Sequence, residues 1–436
     1  MSREFETPSK DIIGAKGNEL SGKLVLLGIT GSPAVVESVE VARELMRHGA
    51  EVIAIMSPSS LKLIHPNLFE WATGNAPVTK LTGRIEHILY THTTGRRADL
   101  LLIAPCTGNT IGKIVSGIGD TPVTSTATAA IGEGIPIIIA PAMHDSMWKN
   151  PFVVANLKRL QAADIELVEP RLEERKAKVA SVESIVEAVL RRLSKKDLQG
   201  KSILITAGPT IEYIDPIRLI SNKSSGRMGV ALAKMALRRG ASVTLIYGPG
   251  QAAAPYGAKV LSVETTEEML KAVTNELSSL DYDAAILSAA VSDYAPTKKF
   301  SNKIASKTTK LLKISLKPTP KILDRVKTVS PSTFLVAFKA EYNQSEEHLV
   351  ERGLRRLHES GADLIVVNDV AVRGAGFGVE TNEVLIIDKK RIVTRIGRAS
   401  KDHIADRILD EAVTRMRKQE VTRTTRGARG SHPSRG

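Results

Sequence analysis

The sequence predicts an α/β protein of two Rossmann-like domains, the first built on a doubly wound parallel sheet and the second a further α/β domain. Three observations lead there. Short apolar runs recur along the chain with helical patterns between them, as strands buried on both faces require. The order Gly-Lys, strand, loop, helix, Gly, strand occurs near the start (GKLVLL…RHGAEVIAIM) and again near the middle (GKSILI…RRGASVTLIYG). A charged polar break, SKKDLQG, separates the two stretches. The boundaries that follow are a first domain at 1–193, a linker at 194–200, a second domain at 201–416 and a basic tail at 417–436.

In order, residues 1–20 read as an irregular arm. Lys23–Ile29 is an apolar run and hence a strand, and Thr30-Gly31-Ser32 turns the chain. Val35–His48 carries Val35, Val39, Ala42 and Met46 on one helical face, Gly49 stops it, and Glu51–Met56 returns as a strand. Further parallel strands are expected at Asp99–Ala104, Ile135–Ala140, Ala284–Ala289, Phe334–Phe338 and Asp363–Val367. A helix around Ile185–Leu193 precedes the linker. Met228, Leu232 and Met235 recur at helical spacing up to Gly240. Val384–Asp388 and Arg391–Ile396 fit a hairpin, and Asp402–Arg417 the last helix.

Composition narrows the class. With 42% hydrophobic and 25% charged residues the chain fits a soluble globular protein, and no apolar run reaches membrane-spanning length. MSREFETPSK has no signal-peptide core, and the single Cys106 excludes an internal disulfide, so a reducing cytoplasm is expected. The formal charge of +14 raises nucleic acid as a partner. Residues 417–436 hold six Lys/Arg and one acidic residue, so +5 of it lies in the tail, which is expected to be disordered. The remainder is spread over a large body without an aromatic platform. Acidic, phosphorylated substrates explain such a balance equally well, and neither nucleic acid nor membrane is expected as a partner.

The most informative stretch is ITAGPTIEYIDPIRLISNKSSGRMG at 205–229. A strand end breaks at Ala207-Gly208-Pro209-Thr210, and a small hydroxyl-rich loop, Ser221 to Gly226, opens a helix. Unpaired N–H groups and the helix dipole make such a loop an anion site, with Lys223 and Arg227 as countercharge. It is neither a Walker A motif nor a GxGxxG fingerprint. AGPT, DPIR and ISNxSSGxMG together and in order resemble the nucleotide-binding signature of phosphopantothenate–cysteine ligases. That family is often fused to a flavin-dependent phosphopantothenoylcysteine decarboxylase.

The first half carries three matching signatures: Ile29-Thr30-Gly31-Ser32; Ile85-Glu86-His87-Ile88; and Ala104-Pro105-Cys106-Thr107-Gly108-Asn109-Thr110, followed by Ala140-Pro141-Ala142-Met143-His144. Alone each is weak, and a lone histidine on a half-apolar segment is as a rule structural. In order over most of residues 20–190 they resemble the homo-oligomeric flavin-containing cysteine decarboxylases. The resemblance implies FMN held by Gly31, Ser32, Ser57, Thr107, Asn109, Thr110 and Ala140. His87 would be the catalytic base or orienting group, and Pro141-Ala142-Met143 would clasp substrate. It implies decarboxylation by way of a thioaldehyde, with FMN as the electron sink. Two departures stand out. The family's Asn after Pro-Ala-Met is His144 here, which becomes the candidate carboxylate clamp or acid. The family's Ala-Cys-Gly thiol is missing from the Arg171–Ala180 region, so Lys176, Lys178 or His144 would supply the proton; without one, the reaction would stop at the ene-thiol. This variant resembles the archaeal branch. His92 reads as a surface residue and Cys106 as a small packed one.

In the second half, Ser288-Ala289-Ala290-Val291-Ser292-Asp293 follows a strand, where open α/β sheets bind ligands. The resemblance implies that Ser288, Ala289, Ala290, Asp293, Lys303, Pro320, Lys321, Ile322, Leu323 and Phe338 bind nucleotide, in the family usually CTP, and the sequence does not fix CTP against ATP. Asp293 suits Mg²⁺ or ribose, and Lys303, in a lid-like Ser/Lys-rich segment (KKFSNKIASKTTK), would contact phosphate. Asn222 would hold the acyl carbonyl. Arg352, Arg355 and Arg356 do not match the family's spacing, so a solvated face is as good a reading of that helix. The implied function is bifunctional: 4′-phosphopantothenate and cysteine are joined through an acyl cytidylate, and the product is decarboxylated to 4′-phosphopantetheine. Trimers in the first half and dimers in the second are expected. The rival readings are a ligase whose flavin domain stops at the ene-thiol, and a basic nucleic-acid-binding protein.

Overall fold

The computed structural model describes residues 8–173, 176–304, 311–376 and 378–429, with backbone alone at 172–173, 176–177 and 420–429. It divides into two compact units, Met1–Ser194 and Lys195–Gly436.

The first unit runs β1 (Leu24–Ile29), α1 (Val35–Arg47), β2 (Glu51–Met56), α2 (Pro66–Thr73), α3 (Glu86–Leu89), β3 (Leu100–Cys106), α4 (Gly108–Val115), α5 (Pro122–Gly132) and β4 (Ile137–Pro141). It continues with β5 (Met143–His144), α6 (Asp145–Trp148), α7 (Pro151–Ala162), β6 (Glu166–Leu167), β7 (Arg171–Glu173), β8 (Lys176–Lys178) and α8 (Val182–Leu193). β1, β3 and β4 are buried at every position, which is why they read as unbroken apolar runs. The five-stranded sheet is parallel throughout in the order β2-β1-β3-β4-β6. Its strand order reverses direction between β1 and β3, and a crevice opens at such a point. β7 and β8 form an antiparallel ribbon that pairs with β5, setting His144 opposite Lys176.

The second unit runs β9 (Ser202–Ala207), β10 (Ile211–Tyr213), β11 (Leu219–Ser221), α9 (Arg227–Arg238), β12 (Ser242–Tyr247), β13 (Lys259–Ser262), α10 (Thr266–Ser279), β14 (Ala284–Leu287) and β15 (Tyr294–Pro296). It ends with β16 (Leu316–Pro318), α11 (Leu323–Val329), β17 (Phe334–Glu341), α12 (Glu346–Ser360), β18 (Leu364–Asp369), β19 (Thr381–Asp388), β20 (Val393–Ser400) and α13 (Lys401–Arg429). Its sheet has the order β13-β12-β9-β14-β17-β18-β19-β20, parallel as far as β18 and antiparallel through the β19–β20 hairpin. The switch point lies between β9 and β14. α9 and α13 cover one face, where Leu232, Met235, Ile404, Ile408 and Leu409 join a core with Ile205 and Val336.

Two sequence expectations change. The arm begins with a short 3-10 helix at Pro8–Ile12. The tail expected to be disordered continues α13 as far as Arg429, and only residues 430–436 lie outside the described residues. Arg417, Lys418, Gln419 and Glu420 are good helix formers, so propensity favours continuing the helix beyond Met416, the last buried apolar residue among the described side chains. Among the described residues no helix is long and apolar enough to cross a membrane.

Candidate functional site

At the first switch point the ends of β1 and β3 are stitched together by Thr30. Its buried hydroxyl donates to Pro105 O at 2.8 Å and accepts from Thr107 N at 3.0 Å. Thr107 caps α4: its Oγ1 accepts from Thr110 N at 3.3 Å. The first-turn N–H groups of α4 are thereby presented at the crevice. Gly31 is dictated by crowding, because a Cβ there would lie 2.5 Å from Ser59 Cβ. The loop after β1 can therefore lie against the loop after β2, where Ser57 Oγ accepts from Ser60 N at 3.2 Å. Ser32, Ser57 and Thr110 are buried, Asn109 is exposed, and Ala140 is wholly enclosed in β4. Hydroxyls, an amide and helix N–H groups, with no carboxylate among them, are a donor set that fits the phosphate ester of FMN.

His87 lies on α3, whose start is held by Glu86: its carboxylate accepts from Thr82 N at 2.9 Å and from the Thr82 hydroxyl. His87 Nδ1 is the one buried side-chain polar atom with no hydrogen-bond partner among the described residues. An unpaired buried nitrogen costs about 1–3 kcal/mol unless something else meets it. Leu81, Ile85, Ile88 and Leu89 around it are exposed. His144 is placed differently from a free clamp. It caps α6, with Nδ1 accepting from Ser146 N at 3.3 Å and 3.0 Å from Ser146 Oγ. That arrangement needs Nδ1 unprotonated and leaves Nε2 to face solvent. The Lys176 side chain lies outside the described residues. Cys106 is fully buried, and burial pushes its thiol far up, so it is inert packing. His92 is partly exposed beside Thr94.

At the second switch point lies a cavity of about 670 Å³. Gly229 lets α9 start directly on the sheet edge, since a Cβ would stand 2.3 Å from Ala207 Cβ and 2.7 Å from Ser288 Oγ. The segment after β14 is fixed to the end of β9 and the loop beyond it. Ser288 Oγ donates to Thr206 O at 2.7 Å, Ala290 N to Gly208 O at 2.9 Å, and Ser292 N to Thr210 Oγ1 at 2.8 Å. Asn222 Nδ2 donates to Val291 O at 2.9 Å and Ala290 O at 3.3 Å, so its amide already braces the cavity wall. Asp293 is ion-paired with Lys321. The lining holds Lys223, Arg227, Lys321, Lys339, Arg356 and Lys401 against Asp293 and Glu359, an excess of positive charge suited to phosphates. No group of three or more metal-ligating side chains occurs among the described residues, so Mg²⁺ would fit here only with phosphate oxygens beside Asp293.

Of the nucleotide residues expected from the sequence, Ser288, Ala289, Ala290, Asp293, Pro320, Lys321, Ile322, Leu323 and Phe338 line this cavity with Asn222. Lys303 does not: it is exposed and outside the lining, and residues 305–310 of its segment lie outside the described residues. Sequence reasoning missed Lys401 and left Arg356 unassigned. Arg356 lines the cavity and pairs with Asp324 at 2.7 Å, while Arg352 binds Glu341 and Arg355 is exposed. Lys401 Nζ is enclosed and donates to Gly376 O at 3.0 Å and to Val379 O. Burial holds its ammonium below the usual lysine range. Neither residue belongs to a recognisable local motif; each is brought in from a distant helix.

Residues 13–194 match the Flavoprotein family, and residues 198–416 match the C-terminal domain family of DNA/pantothenate metabolism flavoproteins. The chain is 47% identical over 402 residues to a coenzyme A biosynthesis bifunctional protein CoaBC from Thermococcus kodakarensis, covering 92% of this chain and 98% of the relative. It is 34% identical over 407 residues to the protein of the same description from Bacillus subtilis, covering 90% and 97%. Among solved structures, the C-terminal domain of a CoaBC protein matches at 32% identity and a TM-score of 0.43, over 51% of this chain and all of that one.

Proposed function

The chain belongs to the CoaBC family of bifunctional coenzyme A biosynthesis proteins, and from that premise we propose that it makes 4′-phosphopantothenoylcysteine in its second unit and decarboxylates it in its first. The observation that carries this reading is one chain with two switch-point sites, each built from donors for phosphate. In the ligase reaction the carboxylate of 4′-phosphopantothenate attacks the α-phosphate of CTP, giving an acyl cytidylate and pyrophosphate. The amine of cysteine then displaces CMP and forms the amide. Lys321, Arg356 and the start of α9 offset the charge that builds on phosphate, and Asp293 would hold Mg²⁺, which would supply further countercharge there. Lys303 serves the first step and Asn222 the acyl oxygen in the second.

In the decarboxylase, Thr107, Thr110, Ser32, Ser57 and the first turn of α4 hold the FMN phosphate, while Asn109 and the β1–β3 loops orient its ring. FMN when bound supplies the reversible electron sink that a plain carboxylate lacks. His87 acts as the catalytic base or orienting group, and its buried Nδ1, unpaired among the described residues, is the atom that fixes the ring once a partner group meets it. The exposed apolar residues about α3 support burial against another copy of the chain, with flavin sites between protomers of a trimer and dimers of the ligase units. A cytoplasmic location follows from the reaction and the lone, buried thiol.

The test is product analysis. Purified protein is given 4′-phosphopantothenate and cysteine with CTP or with ATP, and products are identified by mass. 4′-Phosphopantetheine formed with CTP is expected. Release of an ene-thiol would replace the proposed decarboxylase with one that cannot finish the reduction, and formation of neither product nor pyrophosphate would overturn the reading.

A further inference from the structure

We propose that Asp215 is a positioning residue that fixes the Lys303 segment for the carboxylate-activating step; this rests on the ligase role given above to Lys303. Asp215 lies in the turn between β10 and β11, and its side chain is fully enclosed. Oδ1 closes the turn locally, accepting from Ile217 N at 2.8 Å and Arg218 N at 2.7 Å. Those two bonds are all that an Asx-type turn needs. Oδ2 does something else. It accepts from Arg218 Nη1 at 2.6 Å and, across 89 positions of sequence, from Ile304 N at 3.2 Å. Arg218 Nη1 also donates to Ile304 O at 3.1 Å. Both backbone polar groups of Ile304 are thus held by one ion pair, immediately after Lys303.

The same hairpin holds the segment further back. Phe300 N donates to Ile214 O at 2.9 Å, and Lys299 Nζ lies 4.6 Å above the Tyr213 ring. Every one of these ties runs to residues 213–218. The hairpin's second strand, β11, leads straight into Asn222, which is bonded to Val291 O on the cavity wall. Asp215 therefore joins the backbone that carries Lys303 to the element that carries Asn222. Lys303 is itself exposed, so the hairpin fixes the point from which its long side chain approaches phosphate. A carboxylate withdrawn from water is costly unless its acceptors are filled, and here every bond it makes beyond the turn goes to this segment or to the arginine that shares it. Burial alone would raise the Asp215 carboxyl, but the backbone bonds from Arg218, Ile217 and Ile304 hold it well below the usual range, so it stays ionised.

The test is a double-mutant cycle on the full-length holoenzyme, with pyrophosphate release from CTP and 4′-phosphopantothenate measured in single turnovers. Asp215→Asn keeps the shape and the turn but offers Ile304 N–H a donor in place of an acceptor. A misplacement of about an ångström costs on the order of 100-fold in rate. We expect Asp215→Asn and Lys303→Gln each to slow pyrophosphate release by about 10- to 100-fold, with KM for CTP changed far less than kcat. The double variant should be no slower than Lys303→Gln alone, because Asp215 acts through that lysine. Ile304→Pro removes the N–H that Asp215 holds, although it also fixes φ there and restricts the backbone of Lys303, so it should reproduce the defect if Asp215→Asn does not fold. Wild-type release by a folded Asp215→Asn, or by Ile304→Pro, overturns the inference. So does a double variant slower by the product of the two single effects, the signature of an independent structural role. Wild-type release by Lys303→Gln would instead overturn the role given to Lys303, and the inference with it.

Discussion

Asn222 spends its amide on two backbone carbonyls, and that sets what substitution there will do. Asn222→Asp would place a carboxylate beside Val291 O and Ala290 O and close to the phosphates. To serve the acyl oxygen the amide must turn one N–H away from these carbonyls, the longer bond to Ala290 O at 3.3 Å being the one released; removing one donor to a developing oxyanion typically costs about 100- to 1,000-fold. The variant should release pyrophosphate and hold acyl cytidylate, yet fail to join cysteine. Mass analysis of single turnovers checks this; absence of both pyrophosphate and cytidylate would place Asn222 in nucleotide binding or activation. His144 poses a different case. Its Nδ1 accepts from the Ser146 N–H at the start of α6. His144→Asn keeps a good capping residue, so 4′-phosphopantetheine formation should persist, while His144→Ala, which removes the cap, should slow it. Equal rates for the two variants would mean that the cap does not serve the reaction.

At the scale of elements, the position of α9 decides the ligase site, and Gly229 sets that position. Gly229→Val would drive side-chain atoms into Ala207 and Ser288, and relief requires the helix start to move off the sheet. Overpacking of this kind costs about 1–3 kcal/mol. CTP binding by calorimetry should weaken by at least about tenfold, while bound flavin, read by absorbance, stays stoichiometric; wild-type CTP affinity would show that α9 can shift without cost to the site. The elements most visible in the sequence were those whose burial leaves a periodic trace. β1, β3 and β9 read as apolar runs, and α1 and α9 by their faces. The ribbons β7–β8, β10–β11 and β15–β16 are too short for a pattern. The loops that present Thr107 and Ser288 were legible because small hydroxyl residues directly after a buried strand leave a local pattern in the sequence. Arg356 and Lys401 were not, because only tertiary packing brings α12 and the start of α13 to the cavity. The extension of α13 was missed for a related reason: a polar, basic run such as 417–429 carries no apolar period by which a helix could be read.

At the scale of the molecule, the buried apolar clusters among the described residues each belong to one unit, two built from residues 20–190 and two from residues 198–416. Units with their own cores melt as their own transitions. Asp363 lets this be tested by pH. Its side chain is nearly enclosed before β18 and accepts from Lys327 Nζ at 2.8 Å, Lys389 Nζ at 2.7 Å, Leu335 N at 2.9 Å and Gln419 Nε2 at 3.2 Å. It thus joins α11, β17, the β19–β20 turn and α13. Burial alone would raise its pKa, but the lysine and backbone bonds outweigh that and hold the carboxyl below the usual aspartate range. A folded pKa below the unfolded one, about 3.9, contributes stability in full above that value and loses it as pH falls toward the folded value. Lys389 is 49% exposed and Lys327 22%, so these pairs are partly screened, and losing the charge-assisted bonds in Asp363→Asn costs about 1.5–3 kcal/mol. At neutral pH the ligase transition should therefore drop by several degrees, while the transition that releases flavin stays where it was. Lowering the pH through 4 should then narrow the gap between variant and wild type, because the wild-type carboxylate is itself being neutralised. Calorimetry with flavin fluorescence as a second probe separates the two transitions. A flavin transition that moves with Asp363→Asn would mean that the two cores do not unfold independently, and a gap that stays constant into acid would mean that the ion pairs are not what the substitution removes.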